Sequence, residues 1–212
     1  MKKIIYSFMG IALLLSYPVT VTARNPITLV KGDPMIILQK GKKAVYEIDY
    51  SKLIVTDTKH PENDVDYITW MKTQDEDDDQ WIKDWEEKDK VDCDKAFRDD
   101  FNDEVDNGFK LTKYGNDYKV ILRLNKIDFG PPVKFTLLGM AKGEADAWGE
   151  FEVRDFNTNE TLLVLSFEKL RGEGSFKQIG RLKGIFENFG ENLADYLKDY
   201  QKSLKKKKKD TR

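Results

Sequence analysis

The feature that most restricts the fold lies near the end of the chain. Ile179, Leu182, Phe186, Phe189, Leu193, Tyr196, Leu197, Tyr200 and Leu204 recur at steps of three and four, so they mark one face of a long helix. Arg181, Lys183, Glu187, Glu191, Asp195, Lys198 and Lys202 fill the remainder. A helix with so continuous an apolar stripe has to bury it against another element, and the preceding residues offer a sheet. Ala145, Ala147, Gly149, Phe151 and Val153 alternate with Asp146, Trp148, Glu150 and Glu152, the period of a half-buried strand. Asp155 to Glu160 has turn chemistry, and the apolar run Thr161 to Leu170 completes a hairpin. The small side chains of Ala145, Ala147 and Gly149 predict that the helix comes close there.

Further strands are predicted where Ala44, Tyr46, Ile48 and Tyr50 alternate with polar residues and where Tyr118, Val120, Leu122 and Leu124 do the same. Ile27 to Val30 and Met35 to Leu38 also read as extended, and Val133 to Met140 reads as one more strand. Between Pro61 and Asn107 the spacing of Tyr67, Trp70, Met71, Trp81, Trp85, Phe97, Phe101 and Val105 is helical, with a break around Thr73 to Asp79. The expected fold class is therefore α+β: a mostly antiparallel sheet with helices packed on one side, closed by a long C-terminal amphipathic helix.

At the other end, Lys2 and Lys3 precede an apolar stretch from Ile4 to Val21, followed by Val21-Thr22-Ala23. This is the three-part design of a cleavable secretory signal, with cleavage expected before Arg24. The expected organisation is a signal peptide over 1–23, a single α+β domain over 24–204 and a basic tail over 205–212. The chain has 36 basic and 38 acidic residues, which gives no reason to expect nucleic acid as a partner. With Cys93 as the only cysteine, no internal disulfide can brace the fold.

No short motif points to catalysis or to a cofactor. The acidic run Asp75 to Asp79 lacks the glycine and alternate spacing of a calcium loop, and reads as a solvated connection. Asp155, Asn157 and Asn159 match the first three ligand positions of an EF-hand, but Glu160 and Ser166 stand where glycine and the bidentate glutamate belong. His60 is the only histidine and reads as part of an exposed loop, without convergent partners. Cys93 lies between Asp92 and Asp94, a field that raises a thiol pKa. Ser175 follows Gly172-Glu173-Gly174 without the second glycine of a nucleophile elbow, and the same glycines make no phosphate loop. The expected catalytic and metal-ligand sets are thus empty, and no cofactor is expected.

Two binding candidates remain. Trp148 stands on the strand face shared with Asp146 and Glu150, where an exposed ring could meet a sugar or a protein partner. Lys205, Lys206, Lys207, Lys208 and Lys209 gather positive charge suited to weak contact with an anionic membrane surface.

The segment Gly143-Glu144-Ala145-Asp146-Ala147-Trp148-Gly149-Glu150-Phe151-Glu152-Val153, the Asp155 turn, the Thr161 to Leu170 strand and the helix from Ile179 together resemble exported bacterial envelope domains. These include uncharacterised families and the amino-terminal domain type of TolB and the curli-secretion lipoprotein. The resemblance covers the last third of the chain and implies an α+β sheet backed by helices that serves in envelope assemblies without catalysis. No lipid-bearing cysteine follows the leader, and the Trp-rich helical region has no counterpart in that pattern. The expectation is an exported, periplasmic or secreted, non-enzymatic protein that binds a protein or envelope component. The alternative is a hydrolase of envelope polymers working through paired carboxylates, which leave no motif in sequence.

Overall fold

The computed structural model describes residues 25–73, 78–131, 133–136 and 139–210. The leader over 1–23 and the acidic residues Asp75, Glu76 and Asp77 lie outside the described residues, as do the side chains of Lys207, Lys208 and Lys209.

Among the described residues ten strands and four α-helices follow in the order β1 (Ile27–Gly32), β2 (Lys43–Asp49), β3 (Ile54–Val55), β4 (Val65–Asp66), α1 (Tyr67–Lys72), α2 (Asp78–Asp84), α3 (Lys90–Glu104), β5 (Lys110–Leu111), β6 (Tyr118–Asp128), β7 (Val133–Thr136), β8 (Gly139–Lys142), β9 (Asp146–Asp155), β10 (Thr161–Arg171) and α4 (Gln178–Asp210). A π-helical turn, Trp85–Asp89, joins α2 to α3. The fold is α+β with the long C-terminal helix that the stripe demands.

The sheet runs β1-β10-β9-β6-β2-β5, with β3 beside β6 and β4 paired to β3. It is mixed, where a mostly antiparallel sheet was expected. β1, β10, β9 and β6 pair antiparallel in turn, but β2 runs parallel to both β5 and β6, and β3 parallel to β6. Parallel neighbours need a long crossover, and the helical region between β2 and β6 supplies it. The segment Met35 to Leu38, expected to be extended, lies in a 3-10 turn (Pro34–Leu38) whose first amide is capped by Asp33 Oδ1, 3.0 Å from Met35 N. Val133 to Met140, expected as one strand, falls in the separate β7–β8 hairpin.

The buried phenylalanines of the core gather on one face of the sheet. Phe151 on β9 lies 5.4 Å from Phe189 on α4 and 6.0 Å from Phe101 on α3; Phe97 and Phe167 flank Phe189 at 5.8 and 5.7 Å. The helix does not approach over Gly149, as the small residues of β9 suggested: the Phe167 ring fills that space. It approaches instead where Gly184 meets the backbone of Glu173, and where Gly190 meets Asp100 on α3; an added Cβ at either glycine would fall within 3 Å of those atoms.

The opposite face carries charge. Lys119 pairs with Glu47 at 3.0 Å. Arg123 and Arg154 close on Glu152, Nη2 and Nε lying 2.6 and 2.7 Å from its carboxylate oxygens, and Thr161 Oγ1 donates at 2.5 Å. Ile121, opposite Glu152 on this face, is buried although it faces away from the helices.

Candidate functional site

The turn residues at one end of the sheet build a hollow. Thr56, just past β3, donates its amide to Ile127 O at 2.8 Å and its hydroxyl to Asp64 Oδ1, which pins both ends of the loop Thr56–Asp64. Thr58 donates its amide and hydroxyl to Asp128 Oδ2 at 3.0 and 2.7 Å, while Asp128 Oδ1 accepts from Gly130 N at 2.8 Å. One carboxylate thus sets both the loop and the turn after β6. Between that loop, this turn and the start of α4 is a cavity of about 650 Å³, within the range of small-molecule sites.

One flank of the cavity is a layered stack. The Tyr67 and Trp70 rings are stacked 5.8 Å apart, and Trp70 lies 4.7 Å from Phe129, nearly parallel. The guanidinium of Arg181 follows, 5.9 Å from the Phe129 centroid. Arg181 was expected on the exposed side of the helix; it is only 1% exposed. Its Nη1 donates to the carbonyl oxygens of Phe129, of Gly130 at 3.0 Å and of Pro131 at 3.3 Å, all at the turn after β6. Its Nε is buried without a hydrogen-bond partner. Among the described residues no carboxylate lies within ion-pair distance of it, and burial pulls its pKa down from the usual arginine range. Sequence periodicity held a signal: Ile185 and Phe189 recur at four-residue steps, and the previous step is residue 181.

The rim is of mixed charge. Asp57, Asp128, Glu144 and Asp146 stand with Lys59 and Arg171. Arg171 is 61% exposed, its Nε 3.0 Å from Asp146 Oδ1 and its Nη1 3.5 Å from Glu144 Oε2.

Trp148 lies on the other side of the same loop. It is half-buried beside a shallower hollow of about 450 Å³ shared with Thr56, Thr58, Pro61, Asn125 and Lys126. The lysines are remote from both hollows. Lys205 and Lys206 are exposed near the end of α4, and Lys205 follows Arg181 by some 36 Å at about 1.5 Å of rise per residue.

The remaining candidates behave as ordinary structure. His60 is exposed in the loop, its Nδ1 3.2 Å from Glu62 Oε1. Cys93 is buried, and that burial, with Asp89, Asp94 and Asp92 nearby, pushes its thiol far above the usual range. Ser175 Oγ accepts from Lys177 N at 3.3 Å. Asp155 Oδ1 takes the amides of Asn157 and Thr158, and Asn159 adopts φ 58°, so this segment is a hairpin turn. Among the described residues no group of three or more His, Cys, Asp or Glu side chains is placed to hold a metal ion, and no helix is long and apolar enough to cross a membrane.

Two carboxyl groups stand out electrostatically. Burial pushes Glu152 up, but hydrogen bonds from Arg154, Thr161 and Arg123 outweigh it and hold the group at about 2. Asp100 is pushed up to about 7 by burial and by Glu104, Glu187 and Glu191, against one lowering contact from Gly190 N at 2.7 Å. Glu152 faces away from the helices and Asp100 lies between α3 and α4, so the structure does not bring these two unlike acids together.

No family model matches the chain, and no curated protein matches it. Among solved structures it is similar to the PelC dodecamer from Paraburkholderia phytofirmans, with a TM-score of 0.36, 8% identity, and 79% of this chain and 96% of that one covered. A single-substitution variant of that dodecamer gives the same TM-score and identity over 79% and 95%. Likenesses of this size carry no argument about function, and neither bears on the TolB and curli-secretion resemblance.

Proposed function

We propose that this is an exported, non-enzymatic protein of the cell envelope or secreted space, and that it acts by binding through the end of the sheet beneath the Thr56–Asp64 loop. The apolar stretch Ile4 to Val21 ahead of Val21-Thr22-Ala23 supports export. The observation that carries the binding role is the 650 Å³ cavity with buried, carboxylate-free Arg181 in its wall. A hydrolase would place two carboxyls of unlike protonation across one cleft, whereas rim acids Asp128 and Asp146 are already engaged by Thr58, Gly130 and Arg171. Hydrogen exchange on the exported protein, with and without fractions of its native envelope, tests the role. Residues 56–64 and 128–131 gain protection in at least one fraction; if no fraction protects them, the role is wrong.

A second contact is favoured by one further observation. α4 continues past Leu197, the last of its described side chains buried in the core, to Asp210, with Lys205 and Lys206 exposed, and Lys198 and Lys202 exposed and paired with Asp195 and Asp199. A basic rod of this kind suits loose attachment to anionic headgroups, at about 1 kcal/mol per lysine near the surface. In vesicle co-sedimentation the protein prefers anionic over neutral lipid at low salt, and a variant ending at Leu204 loses the preference. Equal sedimentation of the two forms removes this contact.

A further inference from the structure

On the reading of this protein as a binder, we propose that the cavity takes a small organic acid: one carboxylate seated between the Arg181 guanidinium and the first turn of α4, on a body that offers hydrogen-bond donors to the rim.

The charge of Arg181 calls for a counter-ion. A guanidinium taken out of water keeps its charge, and its desolvation is recovered only by a good anionic partner with its remaining hydrogens satisfied. Three backbone carbonyls on Nη1 supply partial charges, Nε has no partner, and no described carboxylate is in reach. The other four described arginines, Arg98, Arg123, Arg154 and Arg171, all have acids within 4 Å. Arg181 is the most deeply buried of the five and has none among the described residues.

The helix start adds a second attraction at the same place. Gln178, the first residue of the 33-residue α4, is in the cavity wall with Arg181 one turn on. The dipole of a helix favours an anion at its first turn. Carboxylate is the geometric match to a guanidinium.

The rim decides which anion. Among the described lining residues Asp57, Asp128, Glu144 and Asp146 outnumber Lys59 and Arg171, so a phosphate dianion meets about twice the rim repulsion that a single carboxylate does. The carboxylate's share is offset where the rest of the molecule presents hydroxyl or ammonium hydrogens to those acids and to Thr56 and Thr58. The Phe129 and Trp70 rings leave room on their flank for an apolar edge of the same ligand.

The test uses ligand-observed NMR and thermal shift on the exported protein with matched probes. Glucuronate, lactate and alanine are the acids; glucose and lactamide are neutral counterparts; glucose 6-phosphate is the dianion. At least one acid binds saturably, about tenfold or more tighter than its neutral counterpart and than the phosphate, a difference of about 1.4 kcal/mol. Arg181→Met, checked for folding by circular dichroism, abolishes that preference. Gln178→Glu sets a negative charge at the same helix start while leaving Arg181 in place, and it also weakens the acid. Binding by none of the acids, equal binding of acid and neutral probe, or a folded Arg181→Met that still prefers the acid overturns the proposal. Protection of the Thr56–Asp64 loop by an envelope fraction, with no acid bound, would leave the binding role standing and remove only the carboxylate.

Discussion

Glu152 and Arg181 are both buried charges, 4% and 1% exposed, and the molecule treats them in opposite ways. Glu152 sits on the outer sheet face inside a closed set of donors: two guanidiniums and a hydroxyl meet its two oxygens. Arg181 sits at the end of the sheet against carbonyls alone, beside a cavity. A satisfied buried charge braces the structure it is built into. One left without a counter-charge stores an electrostatic cost that a ligand can relieve.

The largest expected effect breaks the satisfied member. Glu152→Gln keeps the shape but removes the charge that Arg123 and Arg154 face, and it destabilises the protein at pH 7 by about 2–3 kcal/mol in a urea titration. The same group gives the wild type an acid limb. Its folded pKa of about 2 lies below the ordinary 4.5, so the stabilisation is full above about pH 4.5 and fades as the pH falls through about 2, some 3 kcal/mol in all. Glu152→Gln flattens that limb; an unchanged limb would show that the carboxylate is not held as the geometry describes.

Arg181→Met is the complementary test and has the smaller expected cost. It frees three carbonyls of their donor but also removes an uncompensated charge, so the ligand-free protein loses only about 1 kcal/mol. A loss as large as that of Glu152→Gln would mean the carbonyls alone satisfy Arg181, and the contrast between the two charges would disappear.

Arg181 also shows where sequence reading stopped. The stripe of α4, the β9–β10 hairpin, its Asp155 turn and the helical middle were legible because period and turn chemistry are local. The mixed sheet was not, since strand patterns at Ala44–Tyr50 and Tyr118–Leu124 say nothing of direction; only the crossover between them does. Met35 to Leu38 was misread because four apolar residues in a row have no period to tell a strand from a tight turn. A charged residue on a helix reads as solvent-facing until the turn that covers it, Phe129 to Pro131, is seen in place. Trp148 lies on the other side of the Thr56–Asp64 loop, but the neighbouring cavity is built by contacts such as Thr58 to Asp128, 70 residues apart, which no local pattern carries.

Asp100 is an intermediate case, half-buried with one amide donor and three acids around it. The unfolded chain releases this proton near pH 3.8 while the folded protein holds it to about 7, so its contribution to stability falls as the pH rises through that window. Asp100→Asn keeps an acceptor for Gly190 N and carries no charge. It is more stable than the wild type by about 1–2 kcal/mol at pH 8, a figure reduced for solvent screening, and the gain shrinks towards pH 4. Thermal melts across this range settle it; a gain that does not vary with pH would place the effect in packing.

The smallest effect belongs to the guanidinium that has the acids Arg181 lacks but not its burial. Arg171 meets Asp146 at 3.0 Å and Glu144 at 3.5 Å, yet is 61% exposed. In water the Coulomb gain of such a contact is small and is offset by the entropy of holding a long side chain in one place, so Arg171→Ala changes stability by less than about 0.5 kcal/mol, and by less still in high salt. Its backbone carbonyl continues to accept from Asn188 Nδ2 at 3.0 Å, which keeps β10 tied to α4 in the variant. Denaturant midpoints at low and high salt measure the difference. If Arg171→Ala were as costly as Glu152→Gln, then pairing with acids, not burial with pairing, would be the property that matters, and the missing carboxylate at Arg181 would lose its significance.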